Sequence, residues 1–172
     1  MKNSKTKKLA VAALFCAVAV VGSLFSFPVF GSKCSPVQHM VNVLCGVLLS
    51  PAYAVGAAFA ASLIRNILGL GSLLAFPGSM FGAFLCGVFY KKTRSVIGAV
   101  IGEVFGTAVL GGLCAYPIAI MFMGKAGAGL AFYAYVFPFF VSTFVGAAVS
   151  GMIIIALEKT GALADMQASV NK

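Results

Sequence analysis

A chain of 172 residues that is 62% hydrophobic and 9% charged, with a mean hydropathy of +1.09, has too little polar surface to cover a water-soluble globule. It reads as one integral membrane domain over residues 1–172, all α-helical, with a basic N-terminal tail at 1–8 and a C-terminal tail at 158–172. The net charge of +9 does not point to nucleic acid, because the twelve Lys and Arg are scattered between apolar runs and form no basic face with interleaved aromatics.

The N-terminus, basic from Lys2 to Lys8 and then apolar, has the outline of a signal peptide. The apolar run continues to about residue 27 without a small-residue cleavage pattern, so it is read as a retained first span. Apolar segments follow at 9–27, 36–49, 51–68, 72–90, 95–123 and 129–157. The second, at about 1.5 Å per residue, reaches only about 21 Å of a core about 30 Å thick, so fusing it to the third across Pro51 would leave five spans. Charge decides between the two counts. Six spans with the N-terminus inside put Lys2, Lys5, Lys7, Lys8, Lys91, Lys92, Arg94, Lys159 and Lys172 in the cytoplasm and Lys33, Arg65 and Lys125 outside, 9 against 3. Five spans give 6 against 6. The positive-inside rule therefore favours a compact bundle of six transmembrane helices in the cell membrane, both termini cytoplasmic, with consecutive helices antiparallel.

The first span carries Ala10, Ala13 and Ala17, small residues that offer a flat stripe to another helix. The segment Ser35-Pro36-Val37-Gln38-His39-Met40-Val41-Asn42 reads as a helix start. Ser35 and Gln38 fit a capping box, and Pro36 sits at the first helical position. His39 and Asn42, three apart, share one helix face and point at one object. In an otherwise apolar bundle, that object is expected to be a small polar ligand at the outer side of the membrane.

Arg65 and Asn66 end the third span on the outer side, where a snorkelling arginine and one that closes over a ligand are both open readings. In the fourth span Pro77 and Gly78 suggest a broken helix lining a cavity, with freed carbonyls near Leu73 and Leu74. Gly98, Gly102 and Gly106 repeat every four residues and are read as a helix contact. Glu103 is the only acidic residue inside an apolar segment. Nine residues past Arg94, it lies about 13 Å from the inner surface, where a carboxylate costs at least about 2.5 kcal/mol. It must therefore face the bundle interior, to meet a ligand or to be satisfied by Thr107 or another helix. Tyr116, Tyr133 and Tyr135 lie near the outer ends, as belt aromatics or as a stacking wall.

No catalytic set emerges, so an enzyme is not expected. The single His39 has no flanking acid, and HExxH, paired intramembrane aspartates and GxxxxGK[ST] are absent. The five cysteines show no CxxC spacing, and no disulfide, metal or cofactor is assigned.

The run from Gly31 to Asn42, the stretches Ala75-Phe76-Pro77-Gly78-Ser79-Met80 and Gly102-Glu103-Val104-Phe105-Gly106-Thr107, and Ala115-Tyr116-Pro117 resemble the ThiW family over nearly the whole chain. These are substrate-binding S components of energy-coupling factor transporters. The resemblance implies capture of a thiamin precursor, hydroxyethylthiazole, from outside, and delivery by tilting in the bilayer against a separate T component driven by two ATPase subunits. It also implies that Ala13 and Ala17 contact the T component. The ring needs an aromatic wall and a few hydrogen-bond partners. The expected substrate set is accordingly Gln38, His39, Asn42, Arg65, Phe76, Glu103, Tyr116 and Tyr133, under a lid at 28–35. Two alternatives stand beside it: an S component for another vitamin such as thiamin, and a stand-alone secondary carrier in which Glu103 is a proton site.

Overall fold

The computed structural model describes residues 2–29, 32–124, 129 and 131–171. Lys125 and Lys172, counted in the charge balance, and Gly31 of the expected lid lie outside them. Helix α1 (Lys2–Gly22) leads through a short 3-10 turn to a two-stranded hairpin, β1 (Phe27–Val29) and β2 (Ser32–Cys34). The strands are antiparallel, with Phe27 opposite Cys34 and Val29 opposite Ser32. Then come α2 (Pro36–Leu48), α3 (Pro51–Ile67), α4 (Ala75–Thr93), α5 (Val96–Phe105), a π turn at Gly106–Gly111, α6 (Gly112–Phe122), α7 (Val136–Lys159) and α8 (Ala162–Asn171). Because α5, the π turn and α6 run on as a single rod from Val96 to Phe122, the described residues form seven rods where six were expected.

The added rod is α8, which falls in the expected C-terminal tail. It is amphipathic, with Leu163 and Val170 buried on one side. Gln167 Nε2 donates to the Val47 carbonyl at 3.0 Å and to the Tyr90 hydroxyl at 3.1 Å, covering orphan backbone at the end of α2. The N-terminal tail is helical too, and Ser4 Oγ donates to the Val170 carbonyl at 3.2 Å.

Three helical stretches are long and apolar enough to cross a membrane: Ser4–Phe25, Val96–Phe122 and Val136–Lys159. Their outward faces carry Leu14, Val21, Ile97, Ile101, Phe144 and Met152, all exposed. A bundle that leaves such side chains outside and packs Ala, Gly and Ser inside is built for lipid, where close backbone approach takes the place of a hydrophobic drive. The molecule is a membrane protein.

Helix α2 sits at the centre, with nine of its 13 residues buried and α1, α3, α4, α5 and α7 packed around it. Gly102 and Gly106 of the glycine ladder lie against α4 backbone at Leu85 and Phe81. Helix α4 is not broken. Pro77 stands in its first turn, where the missing donor costs nothing, and the Leu73 carbonyl accepts the Phe76 N–H at 3.3 Å. The sixth span begins as helix only at Val136, seven residues later than its apolar run. All five cysteines are free thiols.

Candidate functional site

Helix α2 projects His39 and Asn42 from one face, as three-residue spacing requires, and both reach Glu103 on α5. His39 Nδ1 lies 2.9 Å from Glu103 Oε1, and Asn42 Nδ2 donates to the same oxygen at 3.0 Å. The other hydrogen of the Asn42 amide goes to the Ser79 carbonyl at 3.1 Å. Thr107 Oγ1 is 3.2 Å from Glu103 Oε1 and 3.1 Å from the Gly78 carbonyl, so its single hydrogen is shared between them. Glu103 and Asn42 are almost completely buried. A carboxylate out of water costs several kcal/mol unless polar partners replace hydration. Here the donors converge on Oε1, while Oε2 has no hydrogen-bond partner among the described residues.

Two features outside the reach of sequence periodicity make this convergence possible. The π turn at Gly106–Gly111 begins three residues after Glu103, and such turns shift the angular register of a helix. On α4, Gly82 faces the acid: a Cβ there would collide with Thr107 and come within 2.7 Å of Glu103 Oε2. Only a residue without a side chain leaves room for the carboxyl.

With Glu103 ionised its oxygens only accept, an arrangement that places the proton of a neutral His39 on Nδ1. Nε2 then carries a lone pair and makes no hydrogen bond among the described residues. His39 lines a cavity together with Thr107, Ser79, Phe139, Ser142, Ala75, Gly71, Ser72, Arg65, Gln38, Ser35, Ser32 and Lys33. The hollow and its mouth enclose about 460 Å³, but the part that admits a water-sized body is only about 30 Å³. That holds a water or two, so a larger guest requires the cover to move. The hairpin contributes Ser32 and Lys33 to the lining. It is pinned by the Ser35 N–H to Ser142 Oγ at 2.9 Å and by Cys34 Sγ to the Pro138 carbonyl at 3.3 Å.

The expected capping box does not form. Neither Ser35 nor Gln38 bonds the helix start with its side chain; both turn to Arg65. Arg65 Nη2 donates to Ser35 Oγ at 2.6 Å, and Nη1 donates to Gln38 Oε1 at 2.8 Å. A buried guanidinium requires acceptors, and a surplus backbone donor at a helix start next to water does not. Arg65 is 3% exposed, so it does not snorkel. It is held there by the end of α3. Gly69, at φ +70°, closes a Schellman motif in which the Leu70 N–H reaches the Arg65 carbonyl at 2.8 Å and the Gly69 N–H reaches Asn66 at 3.1 Å. The turn brings Gly71 and Ser72 back over the arginine.

Of the eight expected substrate residues, Gln38, His39 and Arg65 line the cavity, and Asn42 and Glu103 lie behind His39. The aromatic wall is not where it was expected. Phe76 packs on Phe59, with ring centroids 5.6 Å apart. Tyr133 is 59% exposed and meets Phe132 edge to face. Tyr116 is half-buried, and none of the three is on the lining. The ring that does line the cavity is Phe139, on the inward face of α7. Phe139, Ser79 and Ser142 were missed because phenylalanine and serine are common in any membrane helix, and only the helix rotation distinguishes inward from outward copies. Ala13 and Ala17 are exposed on α1, whereas Ala12, Cys16 and Ala19 form its buried stripe.

The profile of the thiamine-precursor transporter protein family, ThiW, matches residues 9–160. Among solved structures, ThiT from Listeria monocytogenes is similar, with a TM-score of 0.59 at 20% identity, covering 95% of this chain and 98% of that one. At that identity the likeness is one of fold. No curated protein matches the chain.

Proposed function

The chain belongs to the ThiW family of thiamine-precursor transporter proteins, and on that premise we propose that it is the substrate-capture subunit of an energy-coupling factor transporter. It takes hydroxyethylthiazole from outside and delivers it with a separate T component and two ATPase subunits. In this reading six rods span the bilayer, α1, α2, α3, α4, the α5–α6 rod and α7, and both termini are cytoplasmic.

The observation that carries the proposal is the hydrogen-bonded set His39, Asn42, Glu103 and Thr107 beneath the hydroxyl-rich cavity. The His39 Nε2 lone pair suits the hydroxyl of the ligand's arm, while Phe139 and Ala75 offer apolar surface to the ring. Glu103 acts through His39 by fixing its tautomer and orientation. The exposed pair Ala13 and Ala17 is left for the T component, because α1 uses its other face within the chain.

Calorimetry with the purified chain tests the proposal. Hydroxyethylthiazole should bind in preference to thiamin and to pyrimidine precursors, and His39→Ala should weaken it by about tenfold or more, the worth of one hydrogen bond to a fixed polar partner. An unchanged affinity in His39→Ala would remove the cavity as the site. Uptake that persists without the ATPase subunits would replace the capture role with that of a secondary carrier.

A further inference from the structure

Besides hydrogen-bond partners and a ring, the cavity holds a cation that no side chain neutralises among the described residues. Arg65 is buried, both terminal nitrogens end on the neutral oxygens of Ser35 and Gln38, and Nε has no hydrogen-bond partner among the described residues. Beside it, Gln38 Nε2 is a second buried donor with no acceptor among them. Lys33, exposed on β2, adds another positive charge at the mouth.

The chain has three acidic residues in all. Glu103 is committed to His39 and Asn42 and is not on the cavity lining. Glu158 and Asp165 are exposed at the far end of the molecule. On α7, Glu158 stands 16 residues beyond Ser142 of the lining, about 24 Å at the helical rise. Arg65 makes no ion pair among the described residues. An unpaired buried charge with a planar set of donors, next to an orphan amide N–H and a lysine, is an incomplete anion site.

We infer that the ligand carries an anionic group, a phosphate monoester or a carboxylate, which docks against Arg65, Gln38 Nε2 and Lys33 while its ring lies toward Phe139 and Ala75. This inference rests on the reading of the cavity as the thiazole site and narrows the substrate class within it. A neutral hydroxyethyl arm needs one donor or acceptor and leaves Arg65 without a counter-charge. An acidic arm supplies the charge and the acceptors that the side chains lack.

The test compares binding of hydroxyethylthiazole, its phosphate monoester and the acetate analogue of the same thiazole to the purified full chain. At least one anionic form should bind about tenfold or more tighter than the alcohol, the range of a charge-assisted hydrogen bond. Whichever anion leads identifies the group as monoester or carboxylate. In Arg65→Gln the preference for the anion should fall to about threefold or less, the charge-assisted share being lost and only that of Lys33 remaining. Lys33→Gln, at an exposed side chain between the buried Ser32 and Cys34, should lower the preference by about threefold, as a solvent-screened pair does. An alcohol that binds as tightly as both anions, or a preference that persists in both variants, overturns the anion subsite and leaves the thiazole site standing. If none of the three compounds binds, the thiazole reading itself fails, and the inference falls with it.

Discussion

Removing the Asn42 amide tests whether the buried carboxylate is held by its neighbours. With Glu103 ionised, Asn42→Ala deletes a hydrogen bond to a charged Oε1 and one to the Ser79 carbonyl. The first is worth about 1.5–3 kcal/mol and the second about 0.5–1.5 kcal/mol. The site is 1% exposed, so water does not readily replace the lost donor. A total near 2–4 kcal/mol follows, which for a chain of this size lowers the Tm by about 5–15 °C. The assay is thermal unfolding of the detergent-purified protein, run as a double-mutant cycle with Glu103→Gln. Since both changes strike the same bond, the cycle should return a coupling of about 1–2 kcal/mol. A Tm shift below about 2 °C, or a coupling indistinguishable from zero, would show that Glu103 does not depend on α2 and would refute the account of the cluster.

Four further outcomes are expected. Gly82→Ala should destabilise the protein and weaken ligand binding together, because its Cβ collides with Thr107 and Glu103; thermal unfolding beside calorimetry reads both, and a stable, binding-competent variant would contradict the packing. Gly69→Ala should cost about 1 kcal/mol, since an alanine at φ +70° is strained, visible as a lowered Tm. Burial holds the Cys34 thiol above its ordinary pKa of 9.0, opposed in part by Ser142. The reactive thiolate is therefore scarce below that range and increases only as pH rises through it, so a variant retaining Cys34 alone should react slowly with maleimide at neutral pH and faster in alkali; rapid labelling at pH near 7 would mean that the hairpin stands open. Ala13→Leu with Ala17→Leu should block uptake in the assembled transporter while the isolated chain still binds its ligand, and normal uptake would move the docking surface elsewhere.

The site was only partly legible in the chain. Three-residue spacing put His39 and Asn42 on one face, and the cost of a carboxylate at mid-membrane depth made Glu103 face inward; both statements need only helical geometry and the bilayer as solvent. That the three would meet each other was not in the spacing. It depends on the rotation of the rod containing α5, which carries a π turn, and on Gly82 clearing space on a third helix. The same limit accounts for the aromatic wall. Tyr116, Tyr133 and Phe76 stood at a suitable depth, yet depth does not tell which way a side chain faces, and Phe139 took the inward position.

Composition and local pattern alone determined that the protein is helical, that it lives in lipid, where its second to fifth spans begin within a few residues, and which polar groups are too costly to leave facing hydrocarbon. Only the tertiary structure decided what those polar groups bond to. Ser35 and Gln38 matched a capping box letter for letter, but a buried arginine from another helix claims both, because a charge without acceptors costs more than a helix end without a cap. A local motif competes with every partner that packing brings near, and the most expensive unsatisfied group wins.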